Sequence, residues 1–294
     1  MKALVLGSFG MLGQVVAKEL RDRGVPYTSV SRAGSDVTLD LSQPASRARL
    51  SDLKAYDVVI NCVAMTNIAE CERFPDAAHE VNAELAAELA RVSKAWGAYL
   101  VQVSTDHYFT GDGRAQHDED SRVELLNTYA RTKRGGELAV LTYPGALVVR
   151  TNIVGFRGIL DRPTFLEWVL SELSARREFT AFSDFFTSSL DACSLAKAIV
   201  DLALGPKPTG ILNIASSEVS SKLEFISALA QELGLSTAKM RTGSLLELKD
   251  VRRAESLGLD VRRAEKELGY SLPGLKAVVK NLCAQYKKGH EISE

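Results

Sequence analysis

Residues 4–16 read LVLGSFGMLGQVV, an apolar run broken by Gly7, Gly10 and Gly13 and continued by a helical pattern. A strand that ends at a glycine and passes at once into a helix must make a tight turn. Gly7 permits that turn, Gly10 lets the backbone come close to a phosphate, and Gly13 lets helix and strand pack closely. The helix N-terminus adds unsatisfied N–H groups and the positive end of its dipole. Ser8, Phe9, Met11 and Leu12 complete the turn, so residues 7–13 form the candidate phosphate-binding segment of a dinucleotide site. Leu12, Val15, Val16 and Leu20 share one face of the following helix, and Gly24 is placed to stop it.

Strand–helix units repeat from there. KALVLG, PYTSVS, DVVINCVA, AYLVQVS and ALVVRTNIVG read as strands, several apolar almost throughout, as expected when both faces of a parallel sheet are covered. MLGQVVAKELRDRG, PDAAHEVNAELAAELARVSKAWG and NTYARTKRGGELAVLT read as helices between them. The expected fold is α/β, a Rossmann-type doubly wound parallel sheet with right-handed crossovers. After Gly155 the pattern loosens. Residues 157–182 look like an insertion with its own helix, and the chain from Ser217 is mainly helical and more charged. The expected division is a dinucleotide-binding domain of residues 1–156 and 185–216, and a smaller, mainly helical C-terminal substrate lobe of residues 157–184 and 217–294. A near repeat, DVRRAESLGL from 250 and DVRRAEKELG from 260, is out of phase with helical turns and reads as a solvated charged segment.

The 294 residues carry a formal charge of −1, with 46% hydrophobic and 25% charged residues. That is a globular composition with no global field to recruit nucleic acid or an anionic membrane. No apolar run approaches the about 18 residues of a membrane span, and the N-terminal run is too short for a signal-peptide core, so a cytoplasmic protein is expected. Cys62, Cys71, Cys193 and Cys283 form no C-x-x-C pair and the four histidines are dispersed. No metal site is expected, and the cysteines read as reduced, mostly packed thiols.

The second strand ends in Ser31 and Arg32 rather than in an acidic residue. An acidic residue there holds the ribose hydroxyls of NAD, whereas a hydroxyl and a guanidinium suit a 2′-phosphate. NADP(H) is therefore expected over NAD(H), with an Arg32 pointing into solvent as the competing reading. Asp40 and Leu41 are candidates for the adenine. Ser104, Thr105 and Asp106 follow the AYLVQV strand, at the edge where ligands sit in such sheets. A helix then opens with Tyr129 and Lys133 four residues apart, on one face. A phenol has a pKa of about 10, and a nearby ammonium helps it exchange a proton. Thr105 can hold a substrate oxygen. Glycine turn, S-T-D strand end and Y-x-x-x-K helix, in that order, suit carbonyl reduction, with hydride from a nicotinamide and a proton from Tyr129. Thr105, Tyr129 and Lys133 form the candidate catalytic set, the last two also facing the cofactor. A solvated surface pair is the alternative for Tyr129 and Lys133.

GSFGMLG, INCVAMTNIAECE, VNAELAAELA, VSTDHYF, NTYARTKRGGE and VVRTNIVG together resemble the extended short-chain dehydrogenase/reductases, and within them the dTDP-4-dehydrorhamnose reductases. The resemblance covers residues 1–155 well and the remainder weakly. It implies NAD(P)H-dependent reduction of a 4-keto-6-deoxy sugar on a nucleotide diphosphate, supplying cell-envelope polysaccharide. It places Thr105, Tyr129 and Lys133 on the family's catalytic set and Asp106 on a neighbouring sugar contact. Cys62, Val63 and Ala64 fall on a cofactor-facing strand end, and Thr66 and Ile68 on the adjoining loop. Departures concern the sugar. The family's S-T-D-Y-V-F is STDHYF here, with His107 reading as a packing residue. Its R-T-S-W is RTNI, putting Asn152 and Ile153 where serine and a sugar-facing tryptophan stand. Its R-P-x-N-S-x-L-D is RAESLGLD, where Arg253 has two readings, a contact to the nucleotide diphosphate or a solvated arginine. A homodimer is compatible with this family. Two alternatives remain. One is a sugar-nucleotide epimerase or dehydratase, disfavoured by Thr105-Asp106-His107 in place of T-D-E. The other is a dinucleotide-binding regulatory subunit like the methionine adenosyltransferase beta subunit.

Overall fold

The computed structural model describes residues 1–159, 161–247 and 250–291. Its centre is a wholly parallel seven-stranded sheet: β1 (Ala3–Leu6), β2 (Tyr27–Ser31), β3 (Val37–Thr38), β4 (Val58–Asn61), β5 (Tyr99–Val103), β6 (Ala146–Arg150) and β7 (Gly210–Asn213). Their spatial order is β7-β6-β5-β4-β1-β2-β3. The chain winds outward from β1 to β3 and then restarts on the other side at β4. This is the expected doubly wound α/β arrangement, and the reversal between β1 and β4 opens the crevice where ligands bind in such sheets.

The apolar runs are explained by two covered faces. Side chains alternate along a strand, so Ala3 and Val5 join Ile60, Val101, Leu147 and Val149 on one face. Helices α1 (Met11–Asp22) and the segment Ala192–Leu204 pack there through Val16, Leu20, Leu195 and Ile199. Leu4, Leu6, Val59, Leu100 and Val148 point the other way, onto α2 (Leu85–Trp96) through Leu85 and Leu89. Each such leucine, taken from water to full burial, contributes about 1.5–3 kcal/mol. Helix α3 (Thr128–Val140) lies beside α2 and the π-helical turn Glu80–Glu84 that precedes it. Gly136 makes this approach possible: a Cβ on it would stand 2.2 Å from the Asn82 carbonyl oxygen.

The remaining chain builds short strands from distant segments. Ser220–Ser221, Phe186–Thr187, Ser256–Leu259 and Gln116–His117 form a four-stranded sheet. Ile153–Val154 pairs with Leu190–Asp191, and Met240–Gly243 with Phe179–Phe182. The near repeat at 250 is not a uniformly solvated segment. Its first copy ends in the buried strand Ser256–Leu259, whereas the second forms the helix Arg262–Leu268. The difference lies in SLGL against KELG. The former is uncharged, and Gly258 lets it pass close to Ala115, where a Cβ would be 2.2 Å from the carbonyl oxygen. Within the expected lobe, Leu160, Leu248, Lys249 and residues 292–294 lie outside the described residues. Among the described residues no helix is long and apolar enough to cross a membrane.

Candidate active site

The glycine turn closes as its sequence requires. Gly7 has φ +77°, its carbonyl oxygen accepts from the Gly10 N–H at 2.8 Å, and a Cβ on Gly13 would fall 2.1 Å from that same oxygen. Helix α1 begins after Gly10 with no side-chain cap and no acidic residue in its first turn, so its N–H groups and dipole are uncompensated. The Ser8 hydroxyl is buried there without a hydrogen-bond partner among the described residues. A buried orphan donor beside free helix N–H groups fits a phosphate oxygen. Met11 and Leu12 start α1, and exposed Phe9 rests its ring on Gly34. At the end of β2, Arg32 is exposed, while the Ser31 hydroxyl donates to the Ala33 carbonyl at 2.6 Å, within its own turn. Leu41 is buried, and the Asp40 carboxylate accepts from Ser42 Oγ at 2.7 Å.

The loop after β4 lies against this turn. The Asn61 side chain accepts from the Val63 N–H at 3.0 Å and donates to Gln102 at 2.8 Å, tying β4 to β5. A Cβ on Gly7 would meet Val63 at 3.0 Å. Cys62 and Ala64 are half-buried beside it, and burial pushes the Cys62 thiol up to about 12. Thr66 is exposed, and Ile68 is buried at the start of the next helix, capped by the Asn67 side chain.

Thr105, Tyr129 and Lys133 meet at the carboxyl edge of β5. Helix α3 is started by Asn127, whose side chain accepts from the Ala130 N–H at 2.9 Å and donates to the Arg252 carbonyl at 3.0 Å. Lys133 is 3% exposed, and its Nζ donates to the Val103 carbonyl at 2.7 Å. Burial lowers its pKa to about 8 against the opposing pull of Glu137 and Cys62. Tyr129 is 7% exposed and packs with Ile68, Cys71 and Ala78. Burial pushes its phenol up, the Thr105 side chain offsets part of this, and Asp106 adds to it. Desolvation thus governs this phenol, and the group that lowers it is Thr105 rather than the ammonium expected from the sequence.

Next to Thr105, Asp106 is buried and accepts from Asn152 Nδ2 at 2.8 Å. Burial pushes its pKa up to about 7, and Asn152 and Lys222 offset part of the rise. His107 packs edge-on to Tyr129, and burial, Lys222 and Arg253 together lower it to about 4. It is a neutral packing ring, yet its Nδ1 is buried without a partner among the described residues. Ile153 is half-buried next to Asn152 in the strand paired with Leu190–Asp191. Arg253 is half-buried and binds Asp250 at 2.6 Å through one nitrogen, while its Nε is buried and unpartnered among the described residues.

The chain matches the family model described as the RmlD substrate binding domain over residues 1–288. It belongs to that family. It is 30% identical to the spore coat polysaccharide biosynthesis protein SpsK of Bacillus subtilis over 238 residues, 81% of each chain. It is 30% identical to a dTDP-4-dehydrorhamnose reductase of Mycolicibacterium smegmatis over 242 residues, 82% of this chain and 72% of the relative. The fold is shared with a Bacillus anthracis dTDP-4-dehydrorhamnose reductase solved in complex with NADP, at TM-score 0.86 and 20% identity, over 97% of this chain and 99% of that one. Membership of this RmlD family makes the chain an oxidoreductase of the NAD(P)H-using, extended short-chain type.

Four side chains of this site escape a reading of the motifs. Asn82 sits in the π-helical turn, accepts from the Met65 N–H at 2.9 Å and donates to Thr132 Oγ1 at 3.1 Å, fixing the 62–67 loop to α3. Its signal is a polar residue on an otherwise apolar helical face. Glu137 and Arg150 are fully buried and paired at 3.0 Å, one turn behind Lys133, with Ser104 donating to Glu137 at 2.6 Å. Lys222, at a helix start, reads in sequence as a solvated lysine but is 9% exposed.

Proposed function

We propose that this member of the RmlD family reduces the 4-keto group of a nucleotide-linked 6-deoxy sugar with NADPH, Tyr129 acting as the acid. The observation that carries the reading is the convergence of Thr105, Tyr129 and Lys133 on one sheet edge, beside a glycine turn with an orphan Ser8 hydroxyl. The name of the Mycolicibacterium relative supports the sugar class, and the NADP-bound neighbour of like fold supports the cofactor. NADPH would lie on residues 7–13, with Arg32 and Ser31 at its 2′-phosphate, Asp40 and Leu41 towards the adenine, and Cys62, Val63 and Ala64 along its path to Tyr129 and Lys133. When bound, it supplies the hydride.

The chain's own residues do the rest. Thr105 Oγ1 orients the carbonyl oxygen. Tyr129 Oη, protonated at neutral pH because burial raises its pKa, gives its proton to that oxygen as negative charge develops on it. Lys133 Nζ, anchored on the Val103 carbonyl, holds a positive charge beneath the phenol and eases the loss of its proton. Asp106, Thr66, Ile68, Ile153 and Arg253 frame the nucleotide sugar. In this reading residues 1–156 and 185–216 hold the cofactor, and residues 157–184 and 217–294 hold the sugar nucleotide. The test is NADPH oxidation with freshly generated dTDP-4-dehydro-6-deoxy-L-mannose, with NADH in parallel. Turnover that favours NADPH is expected. Tight NADPH binding without turnover of this or another nucleotide-linked keto sugar would reject the reductase and leave the regulatory subunit.

A further inference from the structure

Lys222 is the first residue of the helix Lys222–Leu233, whose capping box pairs Ser221 with Glu224. A cation at a helix N-terminus opposes the dipole, and a buried one also loses its hydration. Its only side-chain hydrogen bond among the described residues runs from Nζ to Ser189 Oγ, at 3.3 Å. The rings of Phe165, Phe185 and Phe225 surround Nζ at 4.8, 5.6 and 6.0 Å from their centroids. Burial lowers the pKa of Lys222 to about 8, and the carboxylate that offsets part of this is Asp106. A continuous chain connects the two. Lys222 donates to Ser189, Ser189 Oγ donates to Asn152 Oδ1 at 2.7 Å, and Asn152 Nδ2 donates to Asp106 Oδ2 at 2.8 Å.

We propose that Lys222 is a positioning residue: by its charge, and through Ser189 and Asn152, it favours the ionised form of Asp106 and aims it at a hydroxyl of the substrate. The other groups around Asp106 do not fill this role. His107, with Nε2 3.9 Å from Asp106, is kept neutral, and Arg253 acts on His107 rather than on Asp106. Tyr129 is a protonated phenol whose neighbourhood repels a second negative charge. Without Lys222 the balance of this buried carboxyl moves further to its protonated form, which donates where the carboxylate accepts. Asn152 stands where the resemblance places a serine, so this chain builds its own route from the lobe to the strand end.

The kinetic part of this inference rests on the proposed reduction, and the charge part does not. The intact chain, labelled with ¹³C at aspartate carboxyls, is titrated by NMR, with Asp106→Asn identifying the Asp106 resonance. Lys222→Met is expected to move the Asp106 midpoint up by at least about one pH unit, a tenfold change in its ionisation equilibrium. Lys222→Gln, which keeps a donor for Ser189, should do the same. An unmoved midpoint in either folded variant would overturn the proposal. With the keto-sugar substrate, Lys222→Met should raise KM at least about tenfold at pH 7 and move the acid side of the profile to higher pH. The same change in the Asp106→Asn background should add little, because the two act as one unit. Equal losses in both backgrounds would show that Lys222 acts only by packing. A moved midpoint with no keto sugar turned over would reject the reduction and leave the charge coupling standing.

Discussion

Tyr129 and Lys133 are both pushed by burial towards their neutral forms, and that has opposite consequences for the two. A raised phenol keeps its proton but gives it up less readily, so as an acid it depends on a neighbouring charge. A lowered ammonium loses its proton as pH rises through about 8, which removes the charge that helps the phenol. Turnover is therefore expected to fall through about pH 8, and a profile flat to pH 10 would separate Lys133 from the reaction. The stability sign is the reverse. The unfolded lysine binds its proton up to about 10.4, so between about 8 and that value the unfolded chain holds more protons and this group makes the fold more stable as pH rises. Tyr129→Phe should leave NADPH binding nearly intact while lowering turnover at least about 100-fold, as removal of a general acid does. Single-turnover measurements with bound NADPH report this directly, and a variant with full activity would remove Tyr129 from the role.

At the scale of elements, α3 is held by the buried pair behind Lys133. Burial tends to raise Glu137, but Arg150, Ser104 and Arg134 outweigh it and keep the carboxyl below its ordinary range. Its contribution to stability is therefore present at neutral pH and is lost as pH falls through that depressed value. Glu137→Ala would leave Arg150, 1% exposed, without its counter-charge, a loss of about 3–5 kcal/mol. Urea unfolding should show a lower midpoint, and Arg150→Met in the same chain should recover part of it. An unchanged midpoint in the single variant would mean that the pair does not hold the helix. The start of α3 was legible in NTYARTK because Asn127 is a favoured cap and the Y-x-x-x-K spacing fixes a face. The π-helical turn before α2 was not, because its extra residue follows no periodicity. It shows only in what it places, the Asn82 side chain over Thr132 and the Asn82 carbonyl against Gly136.

Across the whole molecule, the middle of the sheet could be read because β1, β4, β5 and β6 are nearly continuous apolar runs, whereas the two-residue edge strand β3 carries no such signal. The four-stranded sheet could not, because Gln116–His117 is only two residues long and its partner Ser256–Leu259 lies about 140 residues away in sequence. For the same reason SLGL is hidden inside a charged near repeat, and Lys222 looks like any helix-surface lysine until Phe165, Phe185 and Asn152 arrive from other segments. The proposed cofactor site, by contrast, draws its groups from one local turn and one strand end, and its response to ligand should involve the whole fold. A ligand bound only by the native chain adds about 2.7 kcal/mol at 100 times its Kd. NADPH should accordingly raise the thermal midpoint by several degrees, and NADH at the same concentration by less. Arg32→Asp should abolish most of the NADPH shift while sparing that of NADH, since the guanidinium is assigned to the 2′-phosphate alone. Equal loss of both shifts would mean that Arg32 supports the turn rather than reads the phosphate, and the preference for NADPH would need another source.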